Sequence, residues 1–343
     1  MAGFSTIILF EGRANGMLSV YLTIADELNE IIKISEKGVW INLINPSDGE
    51  LAQVAVEAFI NADFLRAALD EEERSRIEVE NGQLLVLIHV PIADGDNGAI
   101  IYNTVPLGII VSENSIVTVC LRDNPIFAEF EYKKNKFHTN KKTRFVLQIL
   151  FKTASYYLRY LQQIDKKSSD IEQQLHASMK NEELIKLLNL EKSLVYFTTA
   201  LRANEIVMEK LLRLQLRAPN VKVDPDTAMT SQILKMYAED EDLLEDVITE
   251  NKQAIEMAET YSNILSGTMD AFASIISNNL NIVMKFLTSV TIILALPTMV
   301  ASFFGMNVDV PFQHSPFAFA IVIIISVALS MLGFFLLQRK NMF

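Results

Sequence analysis

Two uninterrupted apolar runs close the chain: "FLTSVTIILALPTMVASFF" at Phe286–Phe304 and "FAFAIVIIISVALSMLGFFLL" at Phe317–Leu337. The first holds about 19 residues without a charge and the second is longer, which is enough helix to cross the hydrocarbon core of a bilayer. A buried pair of core helices is the soluble alternative. Two such runs together at one end of a chain fit membrane spans better. The rest of the sequence is then read as a body that feeds these two helices.

Flanking charge sets the orientation. The connector Val308–Pro316 holds no Lys or Arg and one acid, Asp309, while Lys285 precedes the first run and Arg339 and Lys340 follow the second. Positive residues stay on the cytosolic side, so both termini and the large N-terminal part are expected in the cytosol and the connector outside. The opening "MAGFSTIILFEGR" has no basic region, apolar core and cleavage site in series, and is not read as a signal peptide. This predicts a multi-pass protein of the inner or plasma membrane.

Glycine and proline divide the remainder. Nine of the 12 glycines lie at or before Gly108, and neither residue type occurs between Pro125 and Pro219. The breaker-rich part contains "STIILFEG", "GVWINLIN", "QLLVLIHVPI", "NTVPLGIIV" and "SIVTVCL", short β-branched runs bounded by turn residues, which read as strands. "SDGELAQVAVEAF" starts with a helix N-cap at Ser47 or Asp48. The breaker-free part reads as a helical hairpin over about 141–217, followed by the turn "RAPNVKVDPDT" and a helix that starts near Thr230 and runs to Phe304. The basic segment Lys133–Arg144 reads as a linker or solvated helix face.

The fold class is therefore an α+β N-terminal cytosolic domain, then long helices, then two transmembrane helices. By residue, it divides into the α+β domain (1–135), the hairpin (136–225), a stalk helix (226–285), a first span (286–304), an outer loop (305–316), a second span (317–338) and a cytosolic tail (339–343).

A formal net charge of −12 disfavours a nucleic-acid partner, which needs clustered Lys and Arg, and suits cation attraction; no nucleic acid is expected as a partner. The single cysteine, Cys120, precludes an internal disulfide, fits a reducing compartment and reads as a buried structural thiol. Histidines 89, 138, 176 and 314 are dispersed, and no phosphate-binding glycine loop, dinucleotide fingerprint, HExxH or Cys-His zinc cluster occurs. No enzyme and no resident cofactor are expected.

The first run is more polar than anchoring requires. Asn281, Met284, Thr288, Thr291, Ala295, Thr298 and Ser302 recur at steps of three and four and share one stripe of a helix. Two readings remain open: a pore built from several copies, or hydroxyls that mediate helix packing. The second run has only Ser326 and Ser330 among aliphatic residues and suits the lipid-facing side.

"GMN" at Gly305–Asn307, closing the first of two C-terminal spans, resembles the signature of the CorA family of divalent-cation channels. The preceding "NLNIVMKFLTSVTIILALPTMVASFF" is similar to that family's pore helix, and "WINLINP" at Trp40–Pro46 and "ALDEEERSRIE" at Ala68–Glu78 to its N-terminal domain. The resemblance spans essentially the whole chain. It implies a funnel-shaped homopentamer in the bilayer that carries Mg2+, and often Co2+ or Ni2+, down the membrane potential. A related ZntB-like branch moves Zn2+. Many members have an acidic "MPEL"-type connector; here it reads "VDVPFQHSP".

On this resemblance Gly305, Met306 and Asn307 form the selectivity filter, with Gly305 ending the helix, Met306 packing and Asn307 offering a ring of carbonyl oxygens. Mg2+ releases its water reluctantly, so neutral acceptors for its hydration shell suit conduction better than tightly binding acids. Thr291 and Thr298 are expected to add hydroxyl rings, Met284 and Leu287 apolar constrictions, and Asn281 the cytosolic mouth. The acidic run "EDEDLLEDVITE" brings Glu239, Asp242 and Asp246 near the stalk, and Asp246 resembles the family's inter-subunit sensor acid with Asp70 as its partner. Mg2+ bound there would close the channel; a solvated acidic face is the other reading. A ZntB-like Zn2+ transporter and a non-conducting, membrane-anchored cation sensor or scaffold are the alternative functions.

Overall fold

The computed structural model describes residues 17–24, 27–96, 99–132, 137–178, 181–215, 233–308, 310–311, 316–340 and 342. They fall into two compact units, one reaching to Ser266 and the other starting at Gly267.

In the first unit, seven strands form one sheet: β1 (Met17–Ile24), β2 (Glu27–Ile31), β3 (Val39–Ile44), β4 (Arg76–Glu80), β5 (Gln83–Asp96), β6 (Ala99–Val111) and β7 (Ser115–Cys120), in the order β2-β1-β3-β7-β6-β5-β4. The neighbours are antiparallel except β3 and β7, which run parallel with Asn42 beside Thr118. These two central strands are buried along their whole length, as strands covered on both faces must be.

Alternation along them separates two chemistries. Ile41, Leu43, Val117 and Val119 face an aliphatic core shared with Leu51, Val54, Phe64 and Leu65 of α1 (Asp48–Glu57) and α2 (Ala62–Ala67). The other face is aromatic: Trp40 stacks on Tyr21 at 4.8 Å and lies 5.2 Å from Phe145. On that face Trp40 Nε1 donates to Thr118 Oγ1 at 2.8 Å and Thr118 Oγ1 to Asn42 Oδ1 at 2.9 Å, while the buried Asn42 Nδ2 has no partner among the described residues. Cys120 is fully buried and desolvation pushes its thiol up to about 11, so it is an inert core group.

After α3 (Pro125–Tyr132), the breaker-free stretch forms α4 (Lys142–Ser178) and α5 (Asn181–Gln215), which pack on each other and on β5 and β6. One buried amide ties α5 to the sheet. β4 pairs with β5 only from Gln83 to Leu87, and beyond it Asn204 takes over the backbone of His89. Asn204 Oδ1 accepts from His89 N at 2.9 Å and from Ser75 Oγ at 3.0 Å, while its Nδ2 donates to His89 O at 2.7 Å. Tyr157 OH donates to the same carbonyl at 3.1 Å.

The long helix α6 (Ala238–Phe304) has 67 residues, about 100 Å at 1.5 Å per residue. It begins at Ala238, with Leu234–Tyr237 outside it; Thr230, where the sequence pattern places the start, lies outside the described residues. Asp240, buried among the first-turn acids, accepts from Tyr237 N at 3.2 Å and caps the start. Up to Ser266, Leu244, Val247, Asn251, Ala254 and Ala258 keep one face of α6 buried. The second unit contains the remainder of α6 and α7 (Ala318–Arg339). Both helices are long and apolar enough to cross a membrane.

The runs expected as strands at 38–45, 83–92, 103–111 and 115–121 correspond to β3, β5, β6 and β7; "STIILFEG" lies outside the described residues. Ser47 is the N-cap of α1, in a capping box with Glu50.

Asn204→Ala leaves the buried His89 backbone short of partners at a cost of about 3 kcal/mol; we expect earlier unfolding, monitored by the emission of the single tryptophan, Trp40. Burial also holds the His89 imidazole below its ordinary pKa of about 6.5. Below that value the unfolded chain takes up a proton that the folded one resists, so stability present above it is lost as pH falls through the lowered folded value. His89→Gln is expected to flatten this acid-side loss in the same unfolding measurement.

Candidate functional site

Within the second unit, α6 has two faces of different character. Ser289 is fully buried, Val300 is 8% exposed, and Ile293, Leu296, Pro297 and Phe304 are half-buried; this is the face turned to α7. Asn281, Met284, Leu287, Thr288, Thr291, Ala295, Thr298 and Ser302 are all exposed. At about 3.6 residues per turn the two sets lie on opposite sides of the helix. The polar stripe is therefore not what packs the two helices of one chain together, which removes that form of the packing alternative.

α7 is seated by small residues. Its half-buried positions are Ala318, Ile321, Val322, Ser326, Ser330, Gly333 and Leu337. Ser326 and Ser330, expected on a lipid-facing helix, thus lie on the side covered by α6, and Ser330 Oγ donates to Ser326 O at 2.9 Å. A Cβ built on Gly333 would come within 2.8 Å of Leu296 Cδ1. Ser289 Oγ donates to Met342 O at 3.2 Å. These contacts set an antiparallel register in which Lys285, one turn before Ser289, lies at the same end of the helix pair as Arg339 and Lys340.

The hydroxyls of the stripe are oriented by their own helix. Thr291 Oγ1 donates to Leu287 O at 2.8 Å and Thr298 Oγ1 to Leu294 O at 3.0 Å. With each hydroxyl hydrogen engaged, the oxygen's lone pairs are what an incoming group meets. At Thr291 and Thr298 the stripe therefore offers acceptors.

At the end of α6, Gly305 N bonds to Ala301 O at 3.0 Å and Ser302 O at 3.3 Å, and Met306 N to Phe303 O at 3.4 Å. Among the described residues positive φ occurs at Gly38, Gly82, Asn45, Phe59 and Asn81 and not at Gly305, so this end tightens into a further turn without a left-handed cap. Space there is tight: a Cβ would approach Ala301 O at 3.3 Å. Met306, expected to pack, is 54% exposed, and Asn307 is exposed beside it. Asp309 and His314 lie outside the described residues.

The candidate regulatory acids belong to the first unit. Asp242 and Asp246 are exposed on α6, and Glu239 is held by Arg144 at 2.9 Å. Asp70 sits after α2, where its Oδ1 accepts from Glu72 N at 3.0 Å. Among the described residues no three His, Cys, Asp or Glu side chains gather to hold a metal ion. One chain does not assemble these acids into a site. Leu296 and Gly333 went unnoticed in the sequence, where the one available signal was a glycine inside an apolar helix.

Comparison with known proteins agrees with this geometry. Residues 35–339 match the family model described as "CorA-like Mg2+ transporter protein". The chain is 28% identical over 325 residues to the cobalt/magnesium transport protein CorA of Methanocaldococcus jannaschii, covering 92% of this chain and 94% of that one. The complete structure of the CorA magnesium transporter from the same organism superposes with a TM-score of 0.76 at 25% identity, covering 94% of this chain and 98% of that one. The ZntB cytoplasmic domain from Vibrio parahaemolyticus shares the fold at a TM-score of 0.53 and 10% identity, over 77% of this chain and 98% of that one. An α/β body, a long helix and two C-terminal candidate spans, together with a family match over most of its length, make this chain a member of the CorA family of ion transporters and not an enzyme.

Proposed function

We propose that the chain forms a homopentamer around a central pathway and admits Mg2+, with Co2+ and Ni2+ as further cargo, passively down the membrane potential. One observation carries this reading: α6 presents its polar stripe on the side away from α7, exposed along its whole length in a single chain. Amides and hydroxyls facing lipid are unfavourable, whereas copies of the same stripe around an axis enclose water. The description of the matched family and the printed function of the M. jannaschii relative support the choice of ion.

Mg2+ travels with its inner waters, whose hydrogens point outward and need acceptors. Thr291 and Thr298 meet that need because their own hydrogens are engaged with Leu287 and Leu294. Gly305, Met306 and Asn307 act as the selectivity filter, Asn307 contributing a ring of amide oxygens and Met306 packing against a neighbouring copy. The outer end of α6 is its C-terminus, where the helix dipole is negative; copies gathered there attract cations without an acidic connector. Thr288, Ala295 and Ser302 line the pathway between, Met284 and Leu287 form constrictions that gate by dewetting, and Asn281 marks the inner mouth.

The stalk and the N-terminal domain are cytosolic, as are both termini, because Lys285, Arg339 and Lys340 lie at the same end of the span pair. Asp246, with Asp70 of an adjacent copy and with Glu239 and Asp242 nearby, binds cytosolic Mg2+ and stabilises the closed assembly. A Zn2+ carrier and a non-conducting sensor give different results in one assay: Mg2+, Co2+ and Zn2+ uptake into liposomes holding the pure chain, with and without a membrane potential.

In that assay Asn307→Ala is expected to lower Mg2+ uptake at least about tenfold with assembly intact; wild-type uptake would remove the ring from the mechanism. Asp246→Asn is expected to raise the internal Mg2+ needed for inhibition by about tenfold. Unchanged inhibition assigns the acidic run to solvation alone.

A further inference from the structure

Pro297 lies inside α6, eliminating the amide that would bond the carbonyl of Ile293. A helix is soft where that bond is missing and bends there under small lateral forces. The residue just before it, Leu296, is the one whose Cδ1 occupies the space over Gly333, 2.8 Å from where a Cβ would sit. The soft point of α6 is thus backed by a notch in α7 that fits one side chain. Thr298, Ser302 and Asn307 all follow Pro297 in the chain.

We propose that Gly333 is a positioning residue for conduction: the notch sets how far Leu296 withdraws from the axis, and through Pro297 it sets where Thr298, Ser302 and Asn307 stand. This rests on the reading that α6 lines the ion pathway. Gly333 touches no ion; its influence passes through Leu296. Filling the notch pushes the outer part of α6 toward the axis and narrows the pathway. Emptying the facing side chain relieves the push. A bend at Pro297 converts a small displacement at Leu296 into a larger one at Asn307, which lies about three helical turns of chain further on.

The experiment uses the purified full chain in liposomes and compares Gly333→Ala, Gly333→Val, Leu296→Ala and the double variant Gly333→Val/Leu296→Ala. Mg2+ uptake is measured per assembled protein, with unfolding temperature and oligomeric size recorded for each. We expect uptake to fall in the order glycine, alanine, valine, by about tenfold at valine, since displacement of a positioned group by about 1 Å has effects of that order or more. The double variant is expected within about twofold of wild type, because the volume added at 333 is removed at 296.

A merely structural role predicts that unfolding temperature falls with uptake and that the second truncation makes both worse. Wild-type uptake in Gly333→Val, or a folded double variant without recovery, overturns the proposal. If Gly333→Val does not assemble, Gly333→Ala and the further double variant Gly333→Ala/Leu296→Ala decide: a fall of about twofold in the first that the second reverses supports the notch, and wild-type uptake in Gly333→Ala rejects it. A wild-type chain that conducts no cation refutes the reading on which the notch rests, and is seen before any variant is compared.

Discussion

Hydrocarbon offers no hydrogen-bond partner, so whatever enters it must satisfy its own backbone. α6 meets this as one helix from Ala238 to Phe304, and the rest of the second unit follows from that choice. A helix closes its amides internally but leaves its side chains to find partners. On one side α7 supplies them, with Gly333 opposite Leu296. On the other side lies an asparagine-flanked stripe of hydroxyls and apolar side chains that no described residue of the same chain covers. The division is sharp because α7 is almost wholly aliphatic and cannot satisfy polar groups on more than its narrow inner stripe.

The first unit solves a different problem by the same means. Its strands β3 and β7 are buried along their whole length, so polar groups along them call for partners in place. Thr118 serves Trp40 and Asn42 at once, and Asn204 completes the strand backbone where β4 stops. Each is a single side chain spanning distant parts of the sequence, and each fixes a helix or strand to the sheet more specifically than apolar contact does.

Much of this architecture was legible from residue patterns. The spans announce themselves by length and absence of charge, and Ser47 with Glu50 announces α1. The strands that escaped notice are those with mixed faces or charge. "RIEVE" of β4 alternates with acids because it is an edge strand, and "ELNEI" of β2 has the same excuse. β1 pairs on both sides yet reads as an ordinary polar-apolar mixture, because its partners are set by long-range topology. At the site, the spacing of the stripe was readable, since helical period is a local property. The seating of Leu296 over Gly333 was not: a register between two helices depends on the connector and on both surfaces together. That the helix ends at Gly305 is legible from the glycine itself, whereas its close approach to the Ala301 carbonyl is not.

The composition of the exposed stripe has a consequence for acidity. Asparagine, threonine, serine, methionine, leucine and alanine neither gain nor lose a proton between about pH 4 and 10. From Asn281 to Ser302 the only ionisable side chain is Lys285, which is not among the stripe positions. The charge presented along that face is therefore fixed, whatever the acidity on either side of the bilayer. In the proposed pathway, no side chain along that face takes up or releases a proton as the ion passes.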